Sequence, residues 1–280
     1  MLKSVVVKDF AAVPYLETSA LMVHHKGTVK FSTKKPNVIA GPNGAGKSAL
    51  LNALSLRFLT HFHSRSALDR HYLSVDEKGF WAEGRDHKTW EKFHEFLPGL
   101  KVATDGAPAM YYRPSHMPGN EPTIAHAMMM GYDKQARAFG MATRGKSSGQ
   151  QSQALQEELL AALQGQGLPE DYLEVNWSGG RKPRTIDRSV FGDNDSKVNA
   201  LLKLTEVRKG AVPLLMMDEP EQSLDALAEM NLWKHIAAAD CSKMQIIVAT
   251  HSLYPFMHLE DFHFIEAVPG YTEKITSLIR

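Results

Sequence analysis

The feature that most narrows what this chain can become is a run of eight residues, Gly41-Pro-Asn-Gly-Ala-Gly46-Lys47-Ser48. It fits G-x-x-x-x-G-K-[ST] and stands between an apolar strand candidate at 36–40 and a leucine- and alanine-rich helix candidate at 47–59. Glycines at these positions let consecutive backbone N–H groups turn inward around phosphate oxygens without side-chain clash. The helix that follows points its positive end at the same anion. In such a loop Lys47 would reach the β- and γ-phosphates of a nucleotide, and the Ser48 hydroxyl would ligate Mg²⁺. A chance match on a glycine-rich loop is the bland alternative, and the strand before and helix after weaken it.

A second element has the same logic. Leu214-Leu-Met-Met217 is an apolar run that delivers Asp218 and Glu219 at its C-terminal end. Continuous apolar strands are those buried on both faces. Asp218 can hold Mg²⁺ through water, and Glu219 can polarise an attacking water as general base. Paired acids after a strand are commonplace alone; together with the phosphate loop they become specific.

Composition removes several rival classes. Hydrophobic residues make up 43% and charged residues 22%, which is the balance of a globular rather than a disordered chain. The net charge of +1 gives no bulk attraction to nucleic acid or membrane, so any such partner needs a local patch. Cys241 is the only cysteine, which excludes an internal disulfide and a cysteine-based zinc cluster and suits a reducing cytoplasm. The first ten residues alternate like a strand rather than a signal peptide, and no apolar run is long enough to span a bilayer. These features predict a cytoplasmic protein.

Along the chain, alternation or apolar runs predict strands at 3–10, 28–31, 36–40, Ala109–Tyr112, 212–217 and Gln245–Ala249. Helical spacing predicts helices at 47–59, 123–139, 152–163, 224–239 and, capped by Asp195, 196–207. Residues 262–279 read as a closing hairpin around Pro269-Gly270. Strands alternating with helices predict an α/β fold with a mainly parallel sheet flanked by helices.

The motifs, taken together, carry a resemblance. From Asp218 the chain reads Asp218-Glu219-Pro220-Glu221-Gln222-Ser223-Leu224-Asp225, and a later buried strand ends in Thr250-His251-Ser252. With the phosphate loop, this set resembles the ABC-type P-loop ATPases. The opening strand and the D-E-P-E form look more like the soluble OLD, RecF and SMC-type branch than a transporter subunit. The resemblance implies an ABC-type head with an N-terminal β subdomain over 1–60 and a helical signature lobe over 61–164. An insertion over 165–207 and a region over 208–280 with Walker B, D-loop and switch histidine complete it. It implies ATP and Mg²⁺ as cofactors. Asn43, Gly44, Ala45, Gly46, Lys47, Ser48 and Ala49 would bind nucleotide, and Ser48 and Asp218 the metal. Lys47, Glu219 and His251 would carry catalysis.

The family also uses a signature serine and glycine that open a helix and reach nucleotide bound by a second subunit, which implies a homodimer closed by ATP. Two segments compete for that role. Trp177-Ser178-Gly179-Gly180 is closer by letters, but Pro183 would interrupt an emerging helix. Ser147-Ser148-Gly149-Gln150 leads into the helix candidate at 152–163 and can aim N–H groups at a phosphate. Ser147, Gly149 and Gln150 are therefore the expected signature, with Ser148 as the alternative serine.

Three departures mark the chain within that family. Ala11 and Ala12 stand where a basic residue is frequent. There is no glutamine between Ser48 and Lys134, leaving Arg113, Ser115 or His116 as stand-ins for the Q-loop residue. More chain separates Ser147 from Asp218 than a simple ABC domain needs. The resemblance suggests work in DNA repair, mobile-element biology or phage defence together with an effector protein. A transporter ATPase subunit and an ATP-switched sensor with little turnover are the rivals.

Weaker signals have plainer readings. His61, His63, His71, His87 and His94 lack acidic or cysteine partners at ligand spacing and suit a solvated lobe better than a metal site. Met128 to Met130 suits core filling. Arg181, Lys182, Arg184 and Arg188 could hold nucleic-acid phosphate, although charged loops are usually only solvated.

Overall fold

The computed structural model describes residues 1–9, 14–58, 99–112, 156–157, 159–165, 174–176, 185–187, 208, 210–222 and 224–279. Its centre is a five-stranded sheet built from β3 (Asn37–Ala40), β5 (Ala109–Tyr112), β8 (Leu214–Asp218), β9 (Gln245–Ala249) and β10 (His263–Glu266). The strand order is β10-β3-β9-β8-β5, and every neighbouring pair is parallel. All five C-terminal ends therefore lie along one edge, where ligands bind in open parallel sheets.

Both faces of this sheet are buried, and alternate residues feed two cores. Ile39, Tyr111, Leu214, Met216, Ile247 and Ile265 point into one, together with α3 (Lys47–Phe58). Val38, Met110, Leu215, Met217, Ile246 and Val248 point into the other, with Leu232, Trp233 and Ile236 of α4 (Ala226–Ala237). The helical residues 159–163 add Leu159, Ala162 and Leu163 to that second core. Each such aliphatic or aromatic side chain contributes about 1.5–3 kcal/mol by leaving water.

Helix α4 begins because Asp225 caps it, accepting from the Leu227 and Ala228 N–H groups at 2.9 and 3.0 Å. Glu229 in its first turn and Lys234 and His235 in its last complement the helix dipole.

A second, antiparallel sheet has the order β2-β1-β4, from β1 (Leu2–Val7), β2 (Thr28–Lys30) and β4 (Leu100–Thr104). Its buried residues Leu2, Val5, Val29 and Leu100 join the core on the α3 side. Two buried amides join it to the central sheet. Gln245 accepts the Leu2 N–H at 2.6 Å and donates to the carbonyls of Leu2 and Ser32 at 2.7 and 3.1 Å. Asn37 accepts the Ser32 N–H at 2.7 Å and donates to the carbonyls of Ser32 and Ile246, each at 3.0 Å.

Several elements differ from the sequence reading. Residues 262–279 do not form a hairpin. β10 pairs parallel with β3, and Tyr271–Ile279 is a helix, α6. The physical reason is local: the Glu266 carboxylate accepts the N–H groups of Gly270 and Thr272, at 2.9 and 2.6 Å, and so satisfies donors where a helix starts. Two short helices, α1 (Pro14–Glu17) and α2 (Ala20–His24), stand between β1 and β2 and add to the strand reading there. β4 is likewise an addition. Within the 165–207 segment, β6 (Glu174–Asn176) and β7 (Thr185–Asp187) pair in parallel, with Val175 opposite Ile186. A four-residue helix, α5 (Tyr254–Met257), follows the Thr250-His251-Ser252 turn.

Candidate functional site

The glycine loop leaves β3 at Ala40 and enters α3 at Lys47. Two of its glycines are forced by close neighbours. A Cβ on Gly41 would lie 2.5 Å from the Ala267 Cβ, and one on Gly46 would lie 2.5 Å from both Cβ and Oγ of Ser19. Gly46 also has φ +99°, in the region glycine favours. Gly44 has φ +74° and open space around it. The loop is braced from the N-terminal side as well, because the Leu21 N–H donates to the Ala45 carbonyl at 3.0 Å.

Lys47 is buried, and its ammonium donates to the carbonyls of Gly41 and Pro42 at 2.9 and 3.1 Å. It also lies 3.0 Å from Nε2 of His251. An ammonium can only donate, so Nε2 accepts there and a neutral ring carries its proton on Nδ1. Burial and, next, the Lys47 charge hold the His251 imidazole below its ordinary pKa, with Glu219 opposing. Burial lowers the Lys47 pKa too, against the opposing pull of Glu219 and Asp218.

The two residues expected to hold a metal are brought together. Ser48 Oγ donates to Asp218 Oδ1 at 2.9 Å. Asp218 is buried at the end of β8. The Tyr111 hydroxyl, on the adjacent strand β5, lies 2.6 Å from Asn52 Oδ1 and 3.4 Å from Asp218 Oδ2. A hydroxyl beside a carboxylate at a glycine loop is a hard oxygen donor set, which fits Mg²⁺ rather than a softer ion.

Glu219 sits one residue beyond Asp218 in a left-handed conformation, φ +49°. That backbone costs a non-glycine residue about 1–2 kcal/mol. Its N–H donates to the Ala249 carbonyl at 2.8 Å, the last backbone bond between the ends of β8 and β9. Its carboxylate is 35% exposed and lies 3.8 Å from His251 Nε2. The turn leaves this side chain partly open to solvent and beside His251.

Strand order accounts for the grouping. β9 lies between β3 and β8, so the turn after it places His251 between the glycine loop and Glu219. Ala49 is buried in the first turn of α3, and Asn43 and Gly44 stand exposed on the loop. Asp225 serves as a helix cap within its own chain.

Ser147, Ser148, Gly149 and Gln150 lie outside the described residues. So do Ser178 to Gly180, Arg113, Ser115 and His116, Ser223, Ala11 and Ala12, and the segments 123–139 and 196–207. The histidine-rich segment, Met128 to Met130 and the basic cluster are outside them too.

Tyr111, Asn52 and Glu221 are the site residues that motif reading did not assign. Tyr111 and Asn52 sit inside apolar patterns that read as core, and only the fold shows where their polar ends meet. Glu221 was visible as part of the D-E-P-E form. Its Oε1 accepts from the Thr250 hydroxyl and from the His251 N–H, the latter at 3.2 Å. Burial pushes its carboxyl above the ordinary glutamate range, against the lowering effect of those donors.

A family model described as "AAA domain" matches residues 16–79, which contain the glycine loop and α3. The chain thus carries a P-loop ATPase-like domain, of a class that generally binds nucleotide and Mg²⁺. Asp218, Glu219 and His251 fall outside the matched stretch, and the match covers under a quarter of the chain. No curated protein matches the chain. Among the described residues, no helix is long and apolar enough to cross a membrane.

Proposed function

We propose that this protein is an ATP-hydrolysing ABC-type ATPase of the soluble branch, closed into a homodimer by ATP. The observation that carries this reading is the convergence of Lys47, Ser48, Asp218, Glu219 and His251 at the C-terminal edge of one parallel sheet. Backbone N–H groups of residues 43–48 would cradle the phosphates, and Lys47 would exchange its loop carbonyls for β- and γ-phosphate oxygens. Ser48 and Asp218 would hold Mg²⁺, which when bound neutralises charge on those oxygens. Glu219 would take the proton of the attacking water, its exposure giving that water access. His251, moved off Lys47, would steady the γ-phosphate. Ser147, Gly149 and Gln150 of a second copy would complete the site, and Ser223-Leu224-Asp225 would lie near that junction. A role in DNA repair, mobile-element biology or phage defence with an effector protein rests on the family resemblance.

Glu219→Gln tests this. Turnover should fall by about 10²–10⁴-fold while ATP affinity stays within about threefold. The variant should elute as a dimer in ATP and a monomer without it. Wild-type turnover no faster than the variant would remove the hydrolase reading, and a monomer in ATP would remove the sandwich. Intact turnover after alanine at Ser147 and Gly149 would move the signature elsewhere.

A further inference from the structure

Glu221 is a carboxylate that the proposed reaction does not use. It stands two residues after Glu219, with Oε2 sealed from solvent and without a hydrogen-bond partner among the described residues. No cation pairs with it among those residues. Burying an unpaired carboxylate is costly, so the contacts that its other oxygen makes need explaining. Oε1 accepts two donors from one turn, the Thr250 hydroxyl and the His251 N–H at 3.2 Å. Thr250 Oγ1 in turn accepts the Ser252 N–H at 2.8 Å. Farther along, Ser252 Oγ donates to Glu229 of α4 at 2.5 Å.

The placement of these bonds gives them a task. β8 and β9 are laddered as far as Asp218 opposite Ala249, and Glu219 N–H to Ala249 closes the ladder. Beyond that point the two backbones share no further hydrogen bond among the described residues. Glu219 stands at that last bond and His251 beyond it, on separate turns. The Glu221 side chain ties one turn to the other, and Glu229 ties the 250–252 turn to α4.

We propose that Glu221 is a positioning residue for His251: it fastens the 250–252 turn to the turn bearing Glu219 and so sets the spacing between imidazole and carboxylate. This rests on the roles given above to Glu219 and His251. Glu221 itself touches neither substrate nor water in the reaction. An amide at this position keeps an acceptor oxygen for both donors, whereas alanine keeps none.

The test uses the full chain with Glu221→Ala, Glu221→Gln, His251→Ala and the Glu221→Ala/His251→Ala double variant. Steady-state ATP turnover and the His251 ring titration by NMR without nucleotide are the readouts. Glu221→Ala should lower kcat about tenfold or more with KM within about threefold, and Glu221→Gln should stay within about threefold of wild type. Added to His251→Ala, the Glu221→Ala change should cost less than about twofold more, because both act through one ring. In the wild type the His251 midpoint should lie below the ordinary histidine range, and Glu221→Ala should return it toward that range. An unmoved His251 midpoint, fully multiplicative losses, or a Gln variant as impaired as Ala would each overturn the inference. Glu219→Gln as active as wild type would discard the hydrolysis reading alone, since the ring titration still judges Glu221. If Glu221→Ala does not fold, Thr250→Val removes one of the two donors; a smaller shift of the same sign supports the inference, and no shift overturns it.

Discussion

The two halves of the candidate site are built differently. On the side proposed to bind nucleotide and metal, Lys47 is 5% exposed and Asp218 1%, and each is held by a 2.9 Å hydrogen bond. On the side proposed to carry the reaction, the Glu219 and His251 side chains are each about one-third exposed, Glu219 at the last ladder bond and His251 on the turn beyond it. Groups that hold charge gain from a dry, fixed setting, where electrostatic attraction is screened least. A group that handles a water molecule has to meet solvent. The contrast implies that damage to the first half spreads into the fold, whereas damage to the second stays in the chemistry.

The largest expected break in that contrast is Lys47→Ala. It should weaken ATP binding about 100-fold or more, since a charge-assisted phosphate contact goes with it. Isothermal titration with ATP checks this. A loss comparable to that of Glu219→Gln, within threefold of wild type, would erase the distinction between the halves.

The glycines sharpen the comparison next. Gly46→Ala should cost about 2 kcal/mol or more, because its Cβ meets Ser19 at 2.5 Å and φ is +99°. Gly44→Ala, at φ +74° in open space, should cost about 1 kcal/mol from backbone strain alone. Urea unfolding measures both, and equal costs would show that the Ser19 contact yields easily.

A smaller effect is expected at Tyr111→Phe. Losing the hydroxyl beside Asn52 and Asp218 should cost about 1 kcal/mol in urea unfolding. It should also raise the Mg²⁺ concentration needed for half-maximal turnover. A stability loss with unchanged Mg²⁺ dependence would confine Tyr111 to packing.

The smallest effect concerns pH. His251 and His263 both hold pKa values below the ordinary one, by burial first and then by Lys47 and Lys35 respectively. The unfolded chain takes up protons near pH 6.5 where the folded chain does not, so their contribution is present above about pH 6.5 and lost as pH falls toward the folded values. The urea midpoint should drop from about pH 7.5 to about pH 5.5, and His263→Gln should make that drop shallower. An unchanged slope would remove His263 from the account.

Much of the binding half was readable before any fold was known. Gly41 to Ser48 and the apolar run ending in Asp218 declare themselves, because a phosphate loop and a doubly buried strand leave local patterns. β3, β5, β8 and β9 follow from those patterns. β4 and the two helices over 14–24 did not, since they are short and owe their form to partners distant in sequence, such as Val5 opposite Val102. The C-terminal hairpin failed for a similar reason. Pro269-Gly270 has turn chemistry, but Glu266 uses that turn to start a helix. Tyr111 reads as core because most of its ring is core; its hydroxyl acquires meaning only when β5 is laid beside β8.

Gln245 and Asn37 carry a consequence for how the molecule ages. The two sheets meet through the side-chain amides of these residues, each of which donates to more than one carbonyl. Hydrolysis of either amide to an acid would replace a donor with an acceptor that repels the same carbonyl oxygens. On a surface such a change is nearly silent. At this seam deamidation of Gln245 would set β1 and β9 against each other, and β9 is the strand that presents His251.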